Sequence, residues 1–264
     1  MSTACQSAPQ RFVPNGEVML QLSKIGLFLA SGANLARYLR VRGRIMRRLG
    51  TWGLYERDCL HFLQQVIRPG NMVIDVGANL GVYTMAMARL VGPKGMVWAF
   101  EPQVDVYREL CESTTRLSQV QVFPFALTDK PCEIEMFVPK LMGMLPEPAL
   151  ASAEGKGRCG IKSLVQGVPL DSLIDRVEGL TFIKVDIEGH EVSFLEGARE
   201  IIARFRPTIQ LEWLDRERPD DFLSQWLIRY NYHAGYVGQR GTIQRWKPAD
   251  KLPASTLNVY LFPR

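Results

Sequence analysis

The stretch FIKVDIEGHE, residues 182–191, sets Asp186, Glu188, His190 and Glu191 directly after an apolar run. Phe182, Ile183 and Val185 suit the interior of a buried strand, and the acids do not. A charge in such a place is paired, hydrogen-bonded or functional. In a doubly wound sheet, ligands sit at the carboxyl ends of the strands. Acids there can accept a hydrogen bond from a hydroxyl or remove its proton. His190 suits the same task, because imidazole titrates near neutral pH. The plainer alternative is that the acids cap the following helix and pair with Lys184 or arginines. Glu191, near the helix start, reads as a complement to the helix macrodipole.

A second stretch, VIDVGANLGVYT (residues 73–84), reads as strand, glycine turn and helix. Gly77 and Gly81 let the backbone turn sharply and approach a ligand closely. The helix start beyond offers unpaired N–H groups. The spacing D-x-G-x-x-x-G differs from the G-x-G-x-x-G of pyrophosphate binders. The FEP triplet puts Glu101 at the end of the next strand, where a carboxylate can accept from both ribose hydroxyls. With Asp75, the turn presents two acids and no anion clamp. That suits a cationic ligand with a free ribose, and S-adenosylmethionine is such a ligand. The alternative is a bare βαβ turn with capping polar residues.

The surrounding pattern supplies the elements these residues need. YERDCLHFLQQVI places Cys59, Phe62, Leu63, Val66 and Ile67 on one helical face, and RPG stops it, with His61 off that face. Strands are expected at 72–77, 96–100, 120–125, 181–186 and 207–213, and helices at 81–91, 104–117, 191–205 and 222–230. Alternating strands and helices imply a parallel sheet with helices on both faces. Residues 234–238 and 256–263 would close the sheet. The alternation pauses at 126–170, where EIEMFVP suggests an extra strand. Residues 140–162 read as an irregular loop, with a lid as one role.

The organisation follows: a tail and basic arm over 1–54, then one domain over 55–264. A hydrophobic content of 47% is ordinary for a globular protein. The net charge of +5 is uneven: residues 18–55 carry +7 and the rest −2. The arm reads as a helix packed on the domain, or as a basic membrane-surface or partner-binding helix. Five scattered cysteines, without a C-x-x-C pair, imply reduced thiols and a cytosolic protein. Residues 18–36 lack the pattern of a cleaved leader and leave peripheral membrane association open.

In their order, VIDVGANLGVYT, FEPQ and FIKVDIEGHE resemble the FkbM-type S-adenosylmethionine-dependent methyltransferases, over about Tyr55 to Phe262. The resemblance implies a class I methyltransferase (Rossmann-like) fold, a seven-stranded, mostly parallel sheet with its last strand antiparallel. It implies that Asp75, Gly77, Ala78, Asn79 and Gly81 line the methionine end of the cofactor, and that Glu101 with Pro102 takes the ribose. Asp129, after the third strand, would lie beside the adenine or simply cap a turn. The family is associated mainly with O-methylation of hydroxyls on sugars, glycans and natural products. Asp186, His190 and Glu188 remain alternative bases for the acceptor hydroxyl. A divalent metal on Asp186, Glu188 and Glu212 is allowed by their chemistry and not required by the spacing. Two competing readings are a nucleic-acid methyltransferase gripping phosphates with the arginine arm, and a binding module without turnover. The slightly acidic core argues against the first, and the intact Asp75, Glu101 and Asp186 against the second.

Overall fold

β1 (Met72–Val76) is buried at every position and sits inside an eight-stranded sheet. Its unbroken apolar character follows from cover on both faces. The structure, a computed structural model, describes residues 54–141, 145–146, 160–213, 222–237, 242–247, 250 and 258–264. The expected basic arm lies outside the described residues. β2 (Met96–Phe100) and β3 (Val120–Phe123) extend the sheet to one side of β1, all parallel. β8 (Leu180–Val185) and β9 (Thr208–Glu212) extend it to the other, also parallel. β12 (Asn258–Pro263) runs antiparallel between β9 and β10 (Tyr232–Val237), and β11 (Ile243–Trp246) pairs with β10 at the edge. The order β3-β2-β1-β8-β9-β12-β10-β11, with its one reversed inner strand, is the class I methyltransferase fold with a strand added.

Two expectations need correction here. The sheet has eight strands, not seven, because Ile243–Trp246 forms an edge strand. Its first three residues are exposed, as suits a polar edge, so no apolar alternation marks it. The expected loop over 140–162 is partly strand. β5 (Cys132–Leu141) pairs antiparallel with β7 (Gly160–Val168), in a second sheet that also holds β4 (Ala126–Leu127) and β6 (Leu145–Pro146). On β7, Leu164 points out while Ser163 and Gly167 point in, which disguises the alternation. Residues 147–159 lie outside the described residues.

Helices cover both faces of the large sheet. On one, α1 (Leu54–Val66) and α2 (Val82–Val91) bury Phe62, Leu63 and Met87 against Val73, Phe182 and Tyr260. The rings of Phe62 and Tyr260 are 4.1 Å apart. α3 (Val104–Thr114) adds Leu110 against Ala78 and Ala99. The other face carries the larger core, with α4 (Glu191–Gly197), α5 (Arg199–Phe205) and α6 (Phe222–Tyr230). The single helix expected over 191–205 is broken at Ala198. Asp171, from a 3₁₀ turn, accepts from the N–H groups of Glu200 and Ile201 at 3.0 and 2.9 Å, which caps α5 from outside. Among the described residues, no helix is long and apolar enough to cross a membrane.

Candidate active site

The turn after β1 is built from left-handed residues. Gly77, Asn79 and Gly81 have φ of 76°, 50° and 83°. A Cβ on Gly77 would lie 2.0 Å from the Asp186 carbonyl oxygen, so only glycine fits there. The Asp186 N–H donates to the Val76 carbonyl at 3.1 Å, which joins the two loops at their bases. Gly77 and Ala78 donate to the Phe100 carbonyl at 3.1 and 2.9 Å. Glu101, almost fully buried, accepts from the N–H groups of Asn79 and Gln103, both at 2.9 Å. Burial pushes its carboxyl up to about 7, against the two amides that favour the charged form. Each oxygen keeps a lone pair for a further donor. Asp75 is fully buried; its Oδ2 accepts from the Thr84 hydroxyl at 2.6 Å. Burial raises its pKa, with Lys184 opposing.

Lys184 is the hub of the second loop. Asp75 on β1 and Lys184 on β8 are register partners, so their side chains share a face. The ammonium, 4% exposed, lies 3.0 Å from Asp186 Oδ2 and 3.8 Å from Asp75 Oδ1. It also sits 4.4 Å from the centre of the Tyr83 ring, a cation–π distance. Burial alone would discharge it, but Asp186 and Asp75 outweigh burial and raise its pKa. Asp186 is likewise subject to burial, and Lys184 and a hydrogen bond with Glu212 outweigh that and lower its pKa. Its side chain remains 40% exposed. Oxygens of Asp186, Glu188 and Glu212 lie within 4.8 Å of one another. Burial, then the charge of Asp186, pushes Glu212 up to about 10. Three carboxyl groups are the right ligand type for a hard cation, but the Lys184 ammonium already supplies positive charge to them.

A sequence model described as the methyltransferase FkbM domain matches residues 75–236, more than half of the chain. The chain belongs to the FkbM methyltransferase family. It is therefore an S-adenosylmethionine-dependent methyltransferase. Solved structures that resemble it include the methyltransferase FkbM from Methylobacillus flagellatus KT, 17% identical with a TM-score of 0.49. That match covers 93% of this chain and 59% of the other, so this chain spans about three fifths of that protein's length. Aeropyrum pernix fibrillarin, with natively bound S-adenosyl-L-methionine, is 11% identical with a TM-score of 0.42, over 77% of this chain and 73% of the other. A putative rRNA methylase from Clostridium thermocellum is 10% identical with a TM-score of 0.46, over 80% of this chain and 97% of the other. No curated protein matches the sequence.

In this FkbM methyltransferase the turn after β1 fits the cofactor. The lone pairs left on Glu101 are acceptors of the kind a ribose needs, whereas the missing Cβ of Gly77 makes room for the Asp186 carbonyl of the neighbouring loop. Asp75 is buried beneath the turn and braces it through Thr84 and Lys184. His190 begins α4, and its Nε2 lies 2.9 Å from the Thr128 hydroxyl, which donates to Asp129 at 3.0 Å. The structure thus joins His190 to the expected adenine-side residue Asp129. Glu188 and Gly189, with φ of 52° and 104°, form the turn that Glu191 clamps by accepting from the Gly189 N–H at 3.0 Å. Glu191 is fully buried, so it does more than complement a dipole. The sequence assigns Lys184 and Glu212 no site role beyond pairing and metal ligation. A lysine inside FIKV, an otherwise apolar strand, was the available signal.

Proposed function

We propose that this enzyme transfers a methyl group to a hydroxyl oxygen of a sugar, glycan or natural product, with Asp186 as the acceptor's partner. The observation that carries this reading is a carboxyl group at the end of β8, held by Lys184 at 3.0 Å and still 40% exposed. S-adenosylmethionine, when bound, supplies the methyl group on a sulfonium and keeps the electron pair of the broken C–S bond on sulfur. Glu101 accepts from the ribose hydroxyls, and the turn at Gly77 to Gly81 accommodates the methionine end. Asp186 accepts a hydrogen bond from the acceptor hydroxyl and takes its proton as the O–C bond forms. Its lowered pKa makes it a modest base, so alignment of the hydroxyl supplies most of the acceleration. His190, tied to Thr128, serves the adenine side instead.

The test begins with calorimetric titration by S-adenosylhomocysteine, with Glu101→Ala as control, followed by transfer of labelled methyl to a panel of hydroxylated acceptors. Asp186→Asn should bind S-adenosylhomocysteine normally and lose on the order of a hundredfold or more in turnover, the share a positioned base supplies. Near-normal turnover in that variant would refute the role.

A further inference from the structure

The end of the sheet away from the cofactor turn holds a second cleft. β12 runs antiparallel to both β9 and β10, so β10 points the same way as β8. Register carries Ala234 on β10 across to Leu261, Ile209 and Ile183. Ile183 lies three residues before Asp186 and three strands from β10, which puts the start of β10 roughly 17 Å from Asp186. Two adjoining cavities of about 460 and 410 Å³ open there and share His233, Ala234, Arg245 and Arg264. Arg245 is the register partner of Gly235, which has no side chain to fill the space beside it; a Cβ there would lie 2.9 Å from Ile243 Cγ2. Lys247 follows β11 and Arg264 follows β12, whose N–H donates to the Asn231 carbonyl at 3.0 Å, so three strand ends meet. Buried Trp246 and Leu227 of α6 supply an apolar wall, and Ile228, 82% exposed, extends it. No acid lines either cavity. Among the described residues the only acid beyond Glu212 is Asp250, which meets Trp246 and Lys247 through its main chain. The main-chain oxygens of Tyr230, Asn231 and Arg264 are already taken by Arg206, at 3.0, 3.0 and 3.3 Å. Burial, then Arg245 and Arg264, hold the His233 imidazole below its ordinary value, as expected where positive charges converge.

We propose that this cleft binds an organic phosphate, with Arg245, Arg264 and Lys247 on the phosphate group and Trp246, Leu227 and Ile228 against the apolar body. Three cations favour a dianionic phosphate over a carboxylate, and guanidinium forks match its oxygens two at a time. The charges line one cleft and do not run along a stripe, so a single phosphate group fits better than a nucleic-acid backbone. The site is separate from the methyl-transfer end of the sheet and does not depend on the acceptor reading given above.

The test uses the full chain and needs no acceptor. Calorimetric titration with phenyl phosphate should show saturable binding, about tenfold tighter than that of inorganic phosphate because the ring is buried against the apolar wall. Arg245→Gln and Arg264→Gln should each weaken it about tenfold, the loss of one charge-assisted contact, with circular dichroism and S-adenosylhomocysteine binding as in wild type. Sedimentation with phosphatidylcholine vesicles, with and without phosphatidic acid, separates the two sources of such a phosphate. Binding only to the vesicles that contain phosphatidic acid, lost in the same variants, assigns the cleft to a lipid headgroup. Binding of phenyl phosphate without vesicle binding assigns it to a soluble ligand. Equal affinity for inorganic and phenyl phosphate would remove the apolar wall and overturn the organic ligand. No saturable binding of either probe, or binding that both substitutions leave unchanged, overturns the site.

Discussion

Replacing Lys184 with methionine keeps an apolar stem beneath Tyr83 and removes the charge that two acids share. The ammonium lies 3.0 Å from Asp186 and 3.8 Å from Asp75. At an effective dielectric of about 20, each contact represents about 4–6 kcal/mol of attraction, most of it offset by desolvation. Removing one partner of a buried pair typically costs about 3–5 kcal/mol. Asp186 is 40% exposed, so solvent screens its share, and we expect the low end, about 3 kcal/mol at neutral pH. The pH dependence separates charge from packing. Asp186 has a lowered folded pKa, so its pairing stabilises above the ordinary aspartate range and is lost as pH falls through the folded value. Asp75, raised by burial, takes up a proton more readily once Lys184 is gone. The gap between wild type and Lys184→Met in urea unfolding, followed by circular dichroism, should therefore shrink on going from neutral pH into the acid range. A gap of the same size at both pH values would mean that only stem packing was lost, and the lysine-centred account would be wrong.

Other perturbations test the cofactor turn. Glu101 is held at about 7 by burial, and its charged form accepts the ribose hydroxyls more strongly. S-adenosylhomocysteine affinity should rise as pH climbs through that value, and the dependence should vanish in Glu101→Gln; an unchanged titration would remove Glu101 from the ribose. Gly77→Ala forces a Cβ to 2.0 Å from the Asp186 carbonyl at a φ of 76°. It should cost about 1–3 kcal/mol of stability and abolish calorimetric binding, whereas retained binding would show that the two loops separate easily. For Glu212, folded at about 10 against 4.5 unfolded, the proton is bound in the native state and released on unfolding between those values. Stability then falls as pH rises through that window. Glu212→Gln should gain on wild type as pH rises, and denaturant titrations at two pH values would detect the opposite trend.

Local chemistry is what the sequence displays. The glycine turn is legible because Gly77 and Gly81 adopt left-handed φ where they stand, and Glu101 is legible because it ends the next strand. The parallel core is legible because β1, β2 and β8 are apolar nearly throughout. What is hidden depends on partners far along the chain. The break at Ala198 is capped by Asp171, 29 residues before Glu200. β11 and β7 show no apolar alternation because one is a polar edge and the other carries Leu164 outward. The central residue of the site belongs to this hidden class. Lys184 becomes a hub only through the register that sets it beside Asp75, a residue more than a hundred positions earlier. That register also explains why a buried lysine is tolerable in β8. It stands where β1 and the end of β8 bring acids from both sides, so its desolvation is offset by those neighbours. The turn after β1 and the loop after β8 are therefore joined through one ammonium, which pairs with an acid from each.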